Sequence, residues 1–207
     1  MALEMTDTVL FDEPSHTYTV NGVNYPSVST VLSLFADYSR VPRAVLEFKR
    51  QIGRATHYAI QLYETGELDL DSVDDQVMPY LEGWIKLKAD MPGRVVAGEQ
   101  IVYHKKYRYA GRLDLNYLLD RDHSLWQWDI KCTYQMEPAT ALQTAAYTEA
   151  ANHMNPDLQP ITKRAGVQLC PDGSYVFYPY TKPEHRTDFN IFLNALNCYR
   201  WLMNHGK

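Results

Sequence analysis

The 207-residue chain is 45% hydrophobic and 22% charged, which supplies one globular domain with a substantial core. Its formal net charge of −5 argues against indiscriminate binding to polyanions. The scattered Cys132, Cys170 and Cys198 exclude a disulfide framework, a zinc knuckle and a four-cysteine iron–sulfur cluster, and no apolar run reaches membrane-spanning length.

The first residues carry no apolar signal region and too many acids for a transit peptide, so a soluble cytoplasmic protein without membrane association is expected. Residues 1–26 form an N-terminal extension. Within it, His16–Val20 and Val23–Tyr25 flank Asn21-Gly22, a pair suited to a tight primed turn, and predict a β-hairpin. Pro26-Ser27-Val28-Ser29 starts a helix, with a Ser placed to cap the run through Phe35. From Arg43 to about Thr65, Val45, Phe48, Ile52, Ala59 and Leu62 recur near a 3.6-residue period and predict a long helix. A further helix is expected from about Ser72 to Ala89.

After Pro92-Gly93 the pattern changes to strands over Val95–Tyr103, Arg108–Leu119 and Ser124–Cys132. Pro138 opens a helix to about Asn152, since proline is tolerated in a first helical turn. Arg164–Cys170 and Tyr175–Tyr180 predict a second hairpin, and a closing helix is expected from about Asp188 to Met203. The order predicts one α/β domain over 1–207, with a mixed central sheet flanked by helices.

The chemistry-bearing stretch is Gly111-Arg112-Leu113-Asp114 followed by Trp128-Asp129-Ile130-Lys131. Side chains alternate along a strand, so Asp129 and Lys131 share a face, opposite Trp128 and Ile130. Alone, that pair would read as a structural ion pair. Asp114, fifteen positions upstream on the preceding strand, can be brought beside Asp129 by a hairpin. Two adjacent carboxylates repel unless a proton or cation lies between them, and a hard oxygen-lined site suits Mg²⁺ or Mn²⁺. Such a site, with a neighbouring lysine, meets the needs of phosphodiester hydrolysis: a neutralised phosphate, an oriented water and a stabilised leaving oxygen.

Asp114 and Asp129-Ile130-Lys131 together resemble the bipartite D…(D/E)xK signature of PD-(D/E)XK nucleases. Gly53-Arg54-Ala55-Thr56-His57 resembles the GxxxH segment of the RecB-type branch, and Gln143 to Tyr147 its QxxxY motif. The layout, including Tyr25-Pro26-Ser27-Val28-Ser29-Thr30-Val31-Leu32, is similar to that of mitochondrial genome maintenance exonucleases and their phage relatives. The resemblance runs from about Tyr25 to Leu202 and departs in having Asp129 where many members have Glu. It implies a restriction-endonuclease-like core and a Mg²⁺- or Mn²⁺-dependent deoxyribonuclease, an exonuclease more than an endonuclease. In that reading His57, Asp114, Asp129 and the Ile130 carbonyl bind metal, Lys131 acts on the water, and Gln143 and Tyr147 position the site or the DNA. No Walker A loop is present, so unwinding would need a helicase or recombination partner.

The four-residue spacing sets Gln143 and Tyr147 on one helical face, and Gly53 and His57 on another, where glycine is expected to permit close helix–sheet approach. Glu99 reads equally well as an outer ligand or an exposed strand acid and is left outside the site. His104, His123, His153 and His185 have no convincing partner spacing, and Cys132 is expected in the core. Basic runs at residues 40–54 and 105–112 are candidates for a DNA track. A catalytically silent DNA- or protein-binding derivative of the same fold, or a hydrolase of small phosphates, remain rival readings.

Overall fold

The computed structural model describes residues 7–13 and 17–206. The first strand, β1 (Val9–Asp12), pairs antiparallel with β2 (Thr17–Val20), which turns into β3 (Val23–Tyr25). The predicted hairpin is therefore the second half of a three-stranded sheet; its expected start at His16, and the first six residues, lie outside the described residues. Asn21 and Gly22 have φ of 51° and 76°, the left-handed pair that a primed turn demands.

Ser27 caps α1 (Val28–Leu32) by accepting the Thr30 amide, and a 3₁₀ turn continues to Phe35. Next comes α2 (Arg43–Thr65), ended by Gly66 at φ 73°. A 3₁₀ turn at Leu70–Ser72 precedes α3 (Met78–Asp90), whose start is set by a proline in its first turn, several residues later than periodicity suggests.

The main sheet has the order β4 (Gly93–His104), β5 (Tyr109–Leu119), β6 (Leu125–Lys131), β7 (Lys163–Leu169), β8 (Tyr175–Tyr180). All neighbours are antiparallel except β6 and β7, which are joined through α4 (Ala139–Met154). A parallel pair needs such a crossover. The chain ends on α5 (Lys182–His205), begun by a reciprocal cap between Thr181 and Glu184 that extends it six residues before the expected start. The architecture is a mixed α/β fold with a five-stranded sheet flanked by helices.

One sheet face packs on α2 and α3 through Trp84, Leu81, Leu87, Tyr117, Trp128 and Val167. The other packs on α1, α4 and α5 through Val31, Leu113, Ala146, Ala150 and Phe192. The strand β6 is thus covered on both sides. Arg164 on β7, buried, ties that second layer together by donating to the Ala141 carbonyl and pairing with Asp188 of α5. No described helix is long and apolar enough to cross a membrane.

At the end of β4, His104 is buried and stacked on His153 of α4, ring centroids 4.1 Å apart. Burial, reinforced by His153, lowers its pKa to about 4. An unfolded histidine titrates near 6.5, so the unfolded state takes up the proton first and stability is lost as pH falls from about 6.5 through about 4. Replacing it by His104→Phe should flatten that loss, as read by urea denaturation followed from about pH 7 down to about pH 4. Identical pH slopes in the two proteins would contradict the assignment.

Candidate active site

Three elements bring the predicted His57, Asp114 and Ile130 carbonyl together, and a fourth adds Glu99; Asp129 stands outside this group. His57 projects from the middle of α2, and its Nε2 lies 3.2 Å from the Ile130 carbonyl oxygen on β6. Its Nδ1 lies 3.3 Å from Glu99 Oε1 on β4 and 3.8 Å from Asp114 Oδ1 on β5. Asp114 Oδ2 in turn accepts the Ile130 amide at 2.6 Å. That bond takes over where the β5–β6 ladder stops, since its last pair in this direction is Leu115↔Trp128.

Glu99 is a residue that the sequence reading left out. Register on either side, Gly98↔Leu115 and Gln100↔Leu113, sets it opposite Asp114. Its φ of 49° is unusual for a non-glycine residue, and β5 changes packing partners at the same level, Leu113 joining the α4 layer and Leu115 the α3 layer. Local backbone strain of this kind persists where the surroundings over-determine it. Ligand atoms of His57, Glu99 and Asp114 all lie within 4.8 Å of one another, which makes them the metal-capable group among the described residues. The only sequence signal for Glu99 was an acid on a predicted strand.

Asp129 sits on the other side of the strand from Ile130, fully buried, with Lys131 Nζ 2.5 Å from its Oδ2. Its Oδ1 has no hydrogen-bond partner among the described residues. Burial, with the Asp114 charge adding to it, pushes the Asp129 carboxyl above the usual range despite Lys131. Burial would lower Lys131, but Asp129 and Asp114 outweigh it and hold the ammonium firmly protonated. The same contest at His57 is won by Asp114 and Glu99, which lift it to about 9 against burial.

Gln143 and Tyr147 face the sheet from α4, with Gln143 Nε2 3.4 Å from the Tyr147 hydroxyl. Tyr147 is buried against Gly111, where an added Cβ would come within 2.7 Å of its ring. Close approach is therefore the role of Gly111. The same role expected of Gly53 is not found: a Cβ there would meet nothing within 4 Å, because Gly53 borders an open cleft. Cys132 packs against the α2–α3 core, as its strand position predicts, and burial raises its thiol to about 11.

That cleft, about 380 Å³, joins His57 and Glu99 to Arg54, Tyr58 and Arg112. The turn at residues 105–108 is elsewhere. Lys105 pairs with Asp7 at 2.6 Å and Lys106 lies over Tyr107. Five residue steps take β4 from Glu99 to His104, roughly 17 Å along the strand. Each basic run thus sends one arginine to the cleft, Arg54 and Arg112, while Lys105 and Lys106 lie away from it.

No family model and no curated protein matches the chain. Among solved structures, the alkaline exonuclease LHK-Exo from Laribacter hongkongensis aligns at 12% identity and a TM-score of 0.39, over 87% of this chain and 92% of that one. Its complex with dAMP aligns at 13% identity and a TM-score of 0.40 over the same shares. Likeness at this level assigns neither an activity nor a substrate.

The donor set fits a hard divalent cation: imidazole nitrogen, two carboxylates and a nearby carbonyl. Mn²⁺ should raise the melting temperature of the wild type by roughly 5–10 °C at a hundredfold excess over Kd. In Asp114→Asn and Glu99→Gln the shift should shrink. A wild-type shift that both variants reproduce in full would rule out this group as the metal site.

Proposed function

We propose that the chain is a Mg²⁺- or Mn²⁺-dependent nuclease of the PD-(D/E)XK class, RecB-type branch, that hydrolyses phosphodiester bonds in DNA. An exonuclease serving recombination, repair or phage DNA processing is the form the resemblance favours. One observation carries this reading: His57, Glu99, Asp114 and the Ile130 carbonyl converge from four elements beside a buried Asp129–Lys131 pair.

In this reading His57, Asp114, Asp129 and the Ile130 carbonyl hold the cation, and Glu99 joins them. When bound, the cation neutralises charge on the scissile phosphate and acidifies a water. Asp129 is suited to the ligand set because its Oδ1 is buried without another partner. Lys131, held protonated by its neighbours, is a donor to phosphate or water oxygen; it orients and neutralises rather than abstracting a proton. Gln143 and Tyr147 buttress the α4 side of β6, with Tyr147 packed on the Asp114 strand through Gly111. Arg54 and Arg112 border the same cleft as His57 and Glu99 and supply the backbone contacts.

The decisive assay is cleavage of end-labelled oligonucleotides in Mg²⁺ and in Mn²⁺. Asp114→Asn and Asp129→Asn should abolish it, and Lys131→Ala should lower the rate by about 10²-fold or more while DNA binding persists. Near wild-type cleavage by any of the three would sink the assignment. Charge reversal at Arg54 and Arg112 should weaken binding and reduce its salt dependence, measured by fluorescence anisotropy in Ca²⁺. The same reversal at Lys105 and Lys106 should change both much less. If the two pairs respond equally, the backbone track does not follow the Arg54–Arg112 cleft.

A further inference from the structure

A second cleft, about 790 Å³, opens between the 3₁₀ turn after α1, the start of α4, β8 and α5. Its walls include Phe35, Tyr38, Met136, Tyr178 and Tyr180. Phe35 and Tyr38 are 55% and 44% exposed, so large ring faces stand in water there. The cleft reaches the candidate site from behind. Gly166, the β7 partner of Asp129, is overlain by Met136 and Tyr180: an added Cβ would lie 2.9 Å from the Met136 methyl and 3.1 Å from the Tyr180 hydroxyl. The Lys131 charge is felt at both Tyr38 and Tyr180.

The polarity of this cleft is opposite to that of the Arg54–Arg112 cleft. None of its lining residues is cationic, and Asp37, Glu137, Glu184 and Asp188 are acidic. A phosphate is repelled from such a wall. A nucleobase is neutral, planar and carries N–H groups that carboxylates accept, and aromatic faces stack on any base. Glu137 engages Tyr38 through Oε1 and Asp188 engages Arg164 through Oδ2, so each has a second oxygen to offer. The volume lies within the range of small-molecule pockets.

We infer that this cleft takes an unpaired nucleobase of the strand being cut, stacked on Tyr38 and Phe35, while the sugar–phosphate of that strand crosses the Asp114–Lys131 site. The inference rests on the nuclease reading for its strand and on the cleft itself for its base. Strand binding is thereby divided between two surfaces of opposite charge, one for the backbone and one for the base.

Two measurements test it. Saturation-transfer NMR with free deoxycytidine and deoxyadenosine should show transfer to base protons from the wild-type protein. The signal should vanish in Tyr38→Ala and Phe35→Ala and persist in Tyr38→Phe, which keeps the ring. No transfer from the wild type, or unaltered transfer in both alanine variants, overturns the inference. The second measurement walks a single abasic site along an oligonucleotide substrate. One position should lower wild-type kcat/KM by about 5- to 150-fold, and Tyr38→Ala should shrink that penalty to within about twofold. An undiminished penalty in Tyr38→Ala, or no sensitive position, also overturns it. A protein that binds nucleosides in this way but cleaves no strand would refute the nuclease reading and leave the base cleft standing.

Discussion

Asp129 has no solvent exposure, and a lone carboxylate so placed would cost several kcal/mol. Lys131, two residues along the same strand face, answers that charge at 2.5 Å. The rest of the arrangement follows from keeping this pair in place. Trp128 and Ile130 occupy the opposite face of β6 and anchor it in the α2–α3 core, while β7 pairs along one edge and, past the end of the β5 ladder, the Asp114 carboxylate takes the Ile130 amide on the other. The parallel pairing with β7 requires a crossover, and the helix that makes it, α4, delivers Gln143 and Tyr147 to the side on which Asp129 lies.

Charge at the site has a simple accounting. Glu99, Asp114 and Asp129 bring three carboxylates against the single ammonium of Lys131, leaving two negative charges that one divalent cation would cancel. Without such a cation His57 is driven toward its protonated form by the same carboxylates, and it bridges Glu99 and the Ile130 carbonyl meanwhile. A cation held there would compete with that proton for one place, as is general where a histidine serves as a ligand.

On the proposed reading, a protein of net charge −5 would have to separate its charges in space to hold a polyanion. Arg54 and Arg112 stand on the His57 side of the sheet, whereas Glu137, Glu184 and Asp188 gather at the start of α4 and α5. Several of the acids also serve the fold: Glu184 caps α5, Asp188 holds Arg164, and Asp7 holds Lys105. Counting charges along the chain cannot distinguish these uses, because an acid held by a cap or a cation has the same place in the sequence as one that is not.

What the sequence by itself determined is what depends on local spacing. Period two on β6 fixed that Asp129 and Lys131 share a face, period 3.6 on α4 paired Gln143 with Tyr147, and the short Asp120–His123 turn made β5 and β6 neighbours with Asp114 beside Asp129-Ile130. Element boundaries differ where a cap or a pairing partner sets them: the Thr181–Glu184 cap starts α5 early, and the short β1 exists by pairing with β2. Only the tertiary structure decided that Glu99 faces His57, that Gly53 borders open space while Gly111 receives Tyr147, that His104 stacks on His153, and that Arg112 flanks the site while Lys105 does not. An acid, a glycine or a lysine has the same local pattern whether it meets solvent or a residue forty positions away. The difference lies in which elements pack across it, and that is set by burial of the whole apolar surface and not by any neighbour along the chain.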